Sequence, residues 1–323
     1  MKHAADAAHQ KPFLDRKKIV IIGAGHVGSH CARALAAGQV CDEIVLVDKD
    51  KEKAAAQAMD AADALSFPPS DTLVRSGELT ECADADITVI AIGKPREKGQ
   101  TRLDLLEDSV RMAKELTSEL KKMRLGGLVI SITNPADIIA DYVRKALGMD
   151  RFRAFGTGTL LDTARLLRVL SEQTGISRRS ISAFVLGEHG DSSVVCSSAI
   201  RIGGLPAKNY ETFDLADATA RTHQIGMDII NGKGSTEFGI GQALTFLCDM
   251  IFKDAKAVLP LSVHLNGEYG ISGINCGVPC VIGRSGIERI VELPLTDSEK
   301  EQLSCSADIL KKYTELAEET AAL

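Results

Sequence analysis

The run Gly187-Glu188-His189-Gly190-Asp191 sets a histidine among small and acidic residues, and imidazole is the side chain whose charge changes near neutral pH. Asp162 and Arg165 stand three positions apart in a stretch with helical periodicity, so both side chains leave one face. A further polar, glycine-containing stretch carries Arg96 and Arg102. Together these groups suit hydride transfer to a carbonyl acid. That chemistry needs a proton donor at the carbonyl oxygen, a fixed cation for the carboxylate, a group that polarises the carbonyl, and exclusion of water. Taken singly, each has a plainer reading: His189 a turn residue, Asp162 a helix N-cap, Arg165 a solvated helix arginine, Arg96 and Arg102 a charged surface loop.

A second motif names a co-reactant. Ile19-Val20-Ile21-Ile22 runs into Gly23-Ala24-Gly25-His26-Val27-Gly28, after which a helical pattern begins. Gly23 permits the tight turn, Gly25 lets backbone approach a pyrophosphate, and Gly28 lets helix and strand pack. The helix N-terminus offers amides to the anion. Asp48 follows Gly28 by 20 residues, ending the next apolar run, where a carboxylate can accept from both ribose hydroxyls. The pattern predicts dinucleotide binding. Asp48 would repel a 2′-phosphate and so favours NAD over NADP, a preference that Lys49 and Lys51 soften.

These groups need a scaffold, and the apolar pattern supplies one. Runs at Lys18–Ile22, Glu43–Val47, Ile87–Ile92 and Leu128–Thr133 alternate with helix-length segments. Continuous Val/Ile runs mark strands buried on both faces, so the expected fold is α/β, a Rossmann-type parallel sheet with helices on both faces. After Arg153 a helical pattern at Asp162–Glu172 precedes strand-like pieces at Ser182–Leu186, Ser193–Ile202, Val278–Ile282 and Arg289–Leu293. This predicts a second α+β domain, dividing the chain into residues 1–155, a dinucleotide domain with an N-terminal extension, and 156–323, a substrate domain. Thr296-Asp297-Ser298-Glu299 reads as a capping box.

Composition narrows the partners. A chain of 323 residues with 45% apolar and 25% charged residues has room for two domains. Net charge −6, 4% aromatic residues and no Trp argue against nucleic acid. No apolar run approaches the roughly 20 residues of a membrane span, and Met1–Arg16 lacks the apolar core of a secretory signal, so no membrane association is expected and cytoplasm is the expected location. The eight cysteines are scattered and several lie in apolar runs, as reduced, buried thiols do. Cys276 and Cys280 have no zinc-spaced companions, so no metal is expected.

The glycine turn, Thr133-Asn134-Pro135, Gly156-Thr157-Gly158-Thr159 with Leu161-Asp162-Thr163-Ala164-Arg165, and Leu186-Gly187-Glu188-His189-Gly190-Asp191 resemble the L-lactate/malate dehydrogenase family over nearly the whole chain. The resemblance implies that His189 is the acid/base, with Asp162 its carboxylate partner, and that Arg165 grips the substrate carboxylate through two parallel hydrogen bonds. It implies a mobile lid at Gly93–Arg102 whose Arg102 polarises the ketone. Asn134 and Thr236 would contact substrate, and His26, Val27, Gly93, Thr133 and Asn134 would join Gly23, Gly25, Gly28 and Asp48 around NAD. Homo-oligomers, most often tetramers, are also implied.

Arg96 divides the family. Lactate dehydrogenases carry a neutral Gln at the matching position and malate dehydrogenases an Arg that pairs with the second carboxylate of oxaloacetate. Against Arg96 stand Leu103-Asp104-Leu105, Thr236 and Val278-Pro279-Cys280-Val281-Ile282-Gly283-Arg284, which are closer to lactate dehydrogenases. The expected reaction is interconversion of L-lactate and pyruvate, with malate and oxaloacetate the alternative. A non-catalytic NADH-binding redox sensor is an alternative of another class, one that would not need His189, Asp162 and Arg165 together. Members activated by fructose 1,6-bisphosphate carry basic residues where this chain has Leu167 and Ser182, so no such activation is expected.

Overall fold

Five consecutive buried residues, Lys-Ile-Val-Ile-Ile, make the first strand, β1 (Lys18–Ile22). Burying Ile19 and Ile21 completely contributes about 2 kcal/mol each. The lysine that opens this strand is buried because its ammonium meets Glu81 and Asp84, each at 2.6 Å. The computed structural model describes residues 16–67, 70–93 and 102–322, with the backbone alone for 102–104.

From β1 the chain runs through α1 (His26–Ala37), β2 (Glu43–Val47), α2 (Lys51–Asp63), β3 (Leu73–Ser76), β4 (Ile87–Ile90), α3 (Arg102–Leu120), β5 (Leu128–Ser131), α4 (Ala136–Leu147) and β6 (Ala154–Gly156). Then follow α5 (Leu160–Thr174), the two-residue strands β7 (Ile181–Ser182), β8 (Val185–Leu186), β9 (Val194–Val195), β10 (Arg201–Ile202) and β11 (Leu205–Pro206), and helices α6 (Leu215–Lys233) and α7 (Phe238–Phe252). The chain closes with β12 (Ala257–Asn266), β13 (Ser272–Gly283), β14 (Gly286–Ile290) and α8 (Asp297–Ala322).

Nine strands form one sheet in the order β14-β13-β12-β6-β5-β4-β1-β2-β3. The six from β6 to β3 pair in parallel in the doubly wound order, whose ligand crevice opens where the order reverses, between β1 and β4. The expected α/β architecture is present, but the sheet does not stop with the first half: β12 adds antiparallel to β6, and β13 and β14 continue outward. The pieces expected at Ser182–Leu186 and Ser193–Ile202 are short strand pairs and turns that flank the sheet. The capping box is formed, with Glu299 accepting from the Thr296 amide at 2.8 Å and also holding Ser197 and Ser198.

Seven of the eight cysteines are buried. Cys276 and Cys280 are fully enclosed in β13, where burial pushes their thiols well above the ordinary value. Among the described residues no helix is long and apolar enough to cross a membrane.

Candidate active site

The glycine turn is built as its spacing requires. Gly23 has φ +111°, and a side chain there would bring Cβ within 2.3 Å of the Ala91 carbonyl oxygen on the neighbouring strand's end. A Cβ on Gly28 would lie 1.8 Å from the Gly23 oxygen, so α1 can seat on β1 only with glycine there. Gly25, by contrast, faces open space and caps α1 with no side chain bonded to the helix amides. That leaves first-turn N–H groups free for an anion. The surface is a cradle that fits a pyrophosphate.

Asp48 follows β2 and turns back toward this cradle. Its Oδ2 accepts from the Ala24 amide at 2.7 Å and its Oδ1 from the Asp50 amide at 3.0 Å. Each oxygen keeps a second lone pair for a ribose hydroxyl. Lys49 and Lys51, the two lysines that would soften the preference for NAD, are paired with Glu115 at 2.5 Å and Glu78 at 2.6 Å. His26 is exposed and Val27 half-buried at the start of α1, Thr133 is buried with its hydroxyl donating to the Ile90 carbonyl, and Gly93 is exposed beyond β4. Asn134 is exposed and its carbonyl accepts from Ser109. These residues line the crevice-side ends of parallel strands, the usual dinucleotide position.

Beyond β6, α5 presents two charges. Asp162 and Arg165 share a face, and Arg165 Nη1 donates to Asp162 Oδ1 at 2.9 Å. The other carboxylate oxygen, Oδ2, accepts a hydrogen bond from His189 Nδ1 at 2.5 Å. That bond fixes the tautomer and leaves Nε2 as the atom that exchanges a proton. The Asp162 and Arg165 side chains are 10% and 12% exposed, so a charge left alone there would be costly. Arg165 is therefore not a solvated helix arginine. Its guanidinium lies along Gly226 of α6, where a Cβ would be 3.1 Å from Nη1.

Asp162 and His189 come from different elements, and threonines set their register. Thr159 donates to the Val185 carbonyl at 2.6 Å, and Thr163 accepts from the Val185 amide at 3.0 Å, locking the first turn of α5 to β8. Beyond β8, three successive amides are each held by a different part of the fold. Gly187 donates to Gly277 of β13 at 2.9 Å, Glu188 to the Ser306 hydroxyl of α8 at 2.8 Å, and His189 to Asp137 of α4 at 2.8 Å.

The electrostatics follow from these contacts. The Asp162 charge raises the His189 imidazole above its ordinary value, more than burial lowers it. Burial alone would raise the Asp162 carboxyl, but His189 and Arg165 outweigh it and hold that group below the usual carboxylate range. Each group thus favours the charged form of the other, an imidazolium beside a carboxylate. Such a unit can hand a proton from Nε2 to a carbonyl oxygen and take it back.

Three sequence-predicted residues, His189, Asp162 and Arg165, form one hydrogen-bonded cluster. Thr236 is half-buried between α6 and α7, next to Glu237, which Lys233 and Ser235 hold. Neither Thr236 nor Asn134 hydrogen-bonds to the cluster among the described residues. Arg96 lies outside the described residues, as does the side chain of Arg102, whose backbone opens α3. Sequence reasoning missed Asp137, Gly226 and Ser306. A mid-helix glycine was a detectable signal for the second; the others carry none.

Comparison with known proteins places this geometry. The family model for the lactate/malate dehydrogenase NAD binding domain matches residues 17–156, and that for the lactate/malate dehydrogenase alpha/beta C-terminal domain matches 159–321. The chain is 41% identical to an L-lactate dehydrogenase of Fusobacterium nucleatum subsp. nucleatum, covering 94% of this chain and 98% of that protein. An L-lactate dehydrogenase 2 of Listeria monocytogenes serotype 4b is 39% identical, with 92% and 97% covered. Among solved structures, the minor L-lactate dehydrogenase of Enterococcus mundtii in ligand-bound form superposes with a TM-score of 0.90 at 32% identity, covering 93% of this chain and 98% of that one.

Proposed function

The chain belongs to the lactate/malate dehydrogenase family, and we propose that it interconverts L-lactate and pyruvate with NAD, His189 being the general acid/base. The observation that carries this is the His189–Asp162–Arg165 cluster: a proton carrier, the carboxylate that charges it, and a forked cation, all within hydrogen-bond reach. Relatives named as L-lactate dehydrogenases, at 36–41% identity over most of the chain, favour this reading over malate and oxaloacetate.

The glycine cradle and Asp48 would hold NAD, joined by His26, Val27, Gly93, Thr133 and Asn134. When bound, the cofactor would supply hydride chemistry: its reduced form would donate a hydride to the carbonyl carbon of pyruvate and its oxidised form would accept one from lactate. Arg165 holds the substrate carboxylate through its guanidinium fork and so orients the carbonyl. His189 gives its Nε2 proton to the carbonyl oxygen in reduction and accepts the hydroxyl proton in oxidation. Asp162 stabilises the imidazolium in both directions. Arg102 polarises the carbonyl, and Arg96, Asn134 and Thr236 are assigned to substrate binding on the family resemblance. Residues 1–155 form the cofactor half and 156–323 the substrate half.

The assembly is a homo-oligomer of four chains on the family pattern, and exposed Phe238 (70%) and Phe246 (44%) on α7 are apolar surface for a second copy. Free cysteines, seven of them buried, fit the reducing cytoplasm. The test of the reaction is the rate of NADH loss with pyruvate and, separately, oxaloacetate. A kcat/KM at least tenfold higher for pyruvate is expected; a higher value for oxaloacetate would move the assignment to malate.

A further inference from the structure

Asp137 is a buried carboxylate, 2% exposed, that the reaction above does not use. It stands in the first turn of α4, where the helix dipole favours a negative charge. Its Oδ2 accepts the main-chain N–H of His189 at 2.8 Å, across 52 positions of sequence. Among the described residues neither its Oδ1 nor the buried Ser262 hydroxyl of β12 makes a hydrogen bond of good geometry, yet Ser262 lies close enough to favour the charged carboxyl. A carboxylate oxygen this poorly compensated in the interior is costly. A core that needed only to anchor one amide could do so with a neutral acceptor.

The charged groups acting on His189 explain the choice. Asp162 and Arg165 face it from α5 and Asp137 from α4; Asp162 and Asp137 favour the imidazolium while Arg165 opposes it. Glu188, beside His189 in the same loop, acts on Asp137. With the imidazole protonated, two carboxylates and two cations balance. Without Asp137, the Arg165 charge would be offset only by the carboxylate that must also serve His189.

We propose that Asp137 is a positioning residue for proton transfer: it pins the His189 main chain from α4 and supplies a second negative charge that keeps the imidazole protonated. Burial pushes its own carboxyl up to about 6, against the Ser262 and His189 contacts that lower it, so at neutral pH it is mostly charged. The inference rests on His189 as the proton carrier proposed above.

The test is the titration of the His189 imidazole by carbon-13 NMR in the full chain, assigned by loss of the signal in His189→Asn, for the natural protein and for Asp137→Asn. The carboxamide keeps an oxygen for the His189 amide and removes the charge. The imidazole midpoint should fall by about half a unit or more, and the pH at which kcat/KM for pyruvate declines should fall with it. A purely structural role would alter melting temperature or kcat and leave both midpoints in place. Ser262→Ala removes a contact that favours the charged carboxyl, and should move both midpoints the same way by less. An unmoved imidazole midpoint in Asp137→Asn, or in Ser262→Ala should Asp137→Asn not fold, overturns the proposal. The titration needs no turnover, so a natural protein inert toward pyruvate would count against the proposed reaction and leave the Asp137 result to be read by itself.

Discussion

His189 Nδ1 and Asp162 Oδ2 meet at 2.5 Å although 27 positions separate them in the chain. Asp162 spends its other oxygen on Arg165 at 2.9 Å, so one carboxylate ties the proton carrier to the cation that would hold substrate. Removing it would leave two buried cations side by side. Breaking a buried pair in this way costs about 3–5 kcal/mol.

The pH dependence follows in sign. His189 has a raised value in the fold, so its contribution to stability is complete below the unfolded imidazole value and is lost as pH rises through the raised one. Asp162 has a lowered value, so its contribution is present above the unfolded carboxyl value and is lost as pH falls through the lowered one. Pyruvate reduction requires the imidazolium and should decline with rising pH; lactate oxidation requires the neutral ring and should rise. Asp162→Asn should move both transitions to lower pH and reduce kcat/KM by on the order of 100-fold. Initial rates across pH for both directions check this, and unmoved transitions would remove Asp162 from its assigned role.

Arg165→Lys loses the planar fork and the bond to Asp162. We expect KM for pyruvate to rise at least tenfold, about 1.4 kcal/mol, with a smaller change in kcat. Saturation curves at fixed NADH decide it. An unchanged KM would mean that another group holds the carboxylate.

Gly226 carries a more unusual expectation. A glycine inside a helix costs about 1 kcal/mol relative to alanine, and α6 accepts that cost where the Arg165 guanidinium lies against it. Gly226→Ala should therefore keep or raise the melting temperature while raising KM for pyruvate several-fold, because Cβ would displace Nη1 from its 3.1 Å approach. Lower stability with normal KM would assign the glycine to packing instead.

The same contrast separates what was legible in the chain from what was not. Gly23, Gly28 and Asp48 could be read because a strand-to-helix turn and its acidic partner are fixed by local geometry at short spacing. His189, Asp162 and Arg165 could be read because their local motifs are distinctive, and so could the pairing of Asp162 with His189, but not the division of the two Asp162 oxygens between His189 and Arg165. Asp137 carried no local signal and Gly226 only that of a mid-helix glycine: each acts on a residue of another element, and only the packing of α4 and α6 brings them there. Strand β3 escaped because it is a short edge carrying Arg75 and Ser76, with one buried residue. Strand β12 escaped because Pro260 and His264 interrupt its apolar run, and proline argues against an inner strand. Opposite Pro260 in the ladder stands Pro279, a pairing that no local pattern announces.

Activation by a sugar bisphosphate is not expected. Leu167 packs, half-buried, against the smaller apolar cluster beneath α5, and Ser182 is exposed opposite Arg201, whose Nη1 donates to the Ser198 and Ile200 carbonyls. Pyruvate saturation measured with and without fructose 1,6-bisphosphate should coincide. A large leftward shift would reveal an anion site built from other residues.

The central claim is that His189 carries the proton, and His189→Ala tests it most directly. NADH binding, followed by its fluorescence, should be retained, because the glycine cradle and Asp48 are untouched, while the rate of NADH loss with pyruvate should fall by at least about 100-fold. Turnover by His189→Ala at the rate of the natural protein, or no turnover of pyruvate by the natural protein despite bound NADH, would contradict it; the second result would mark a nucleotide sensor.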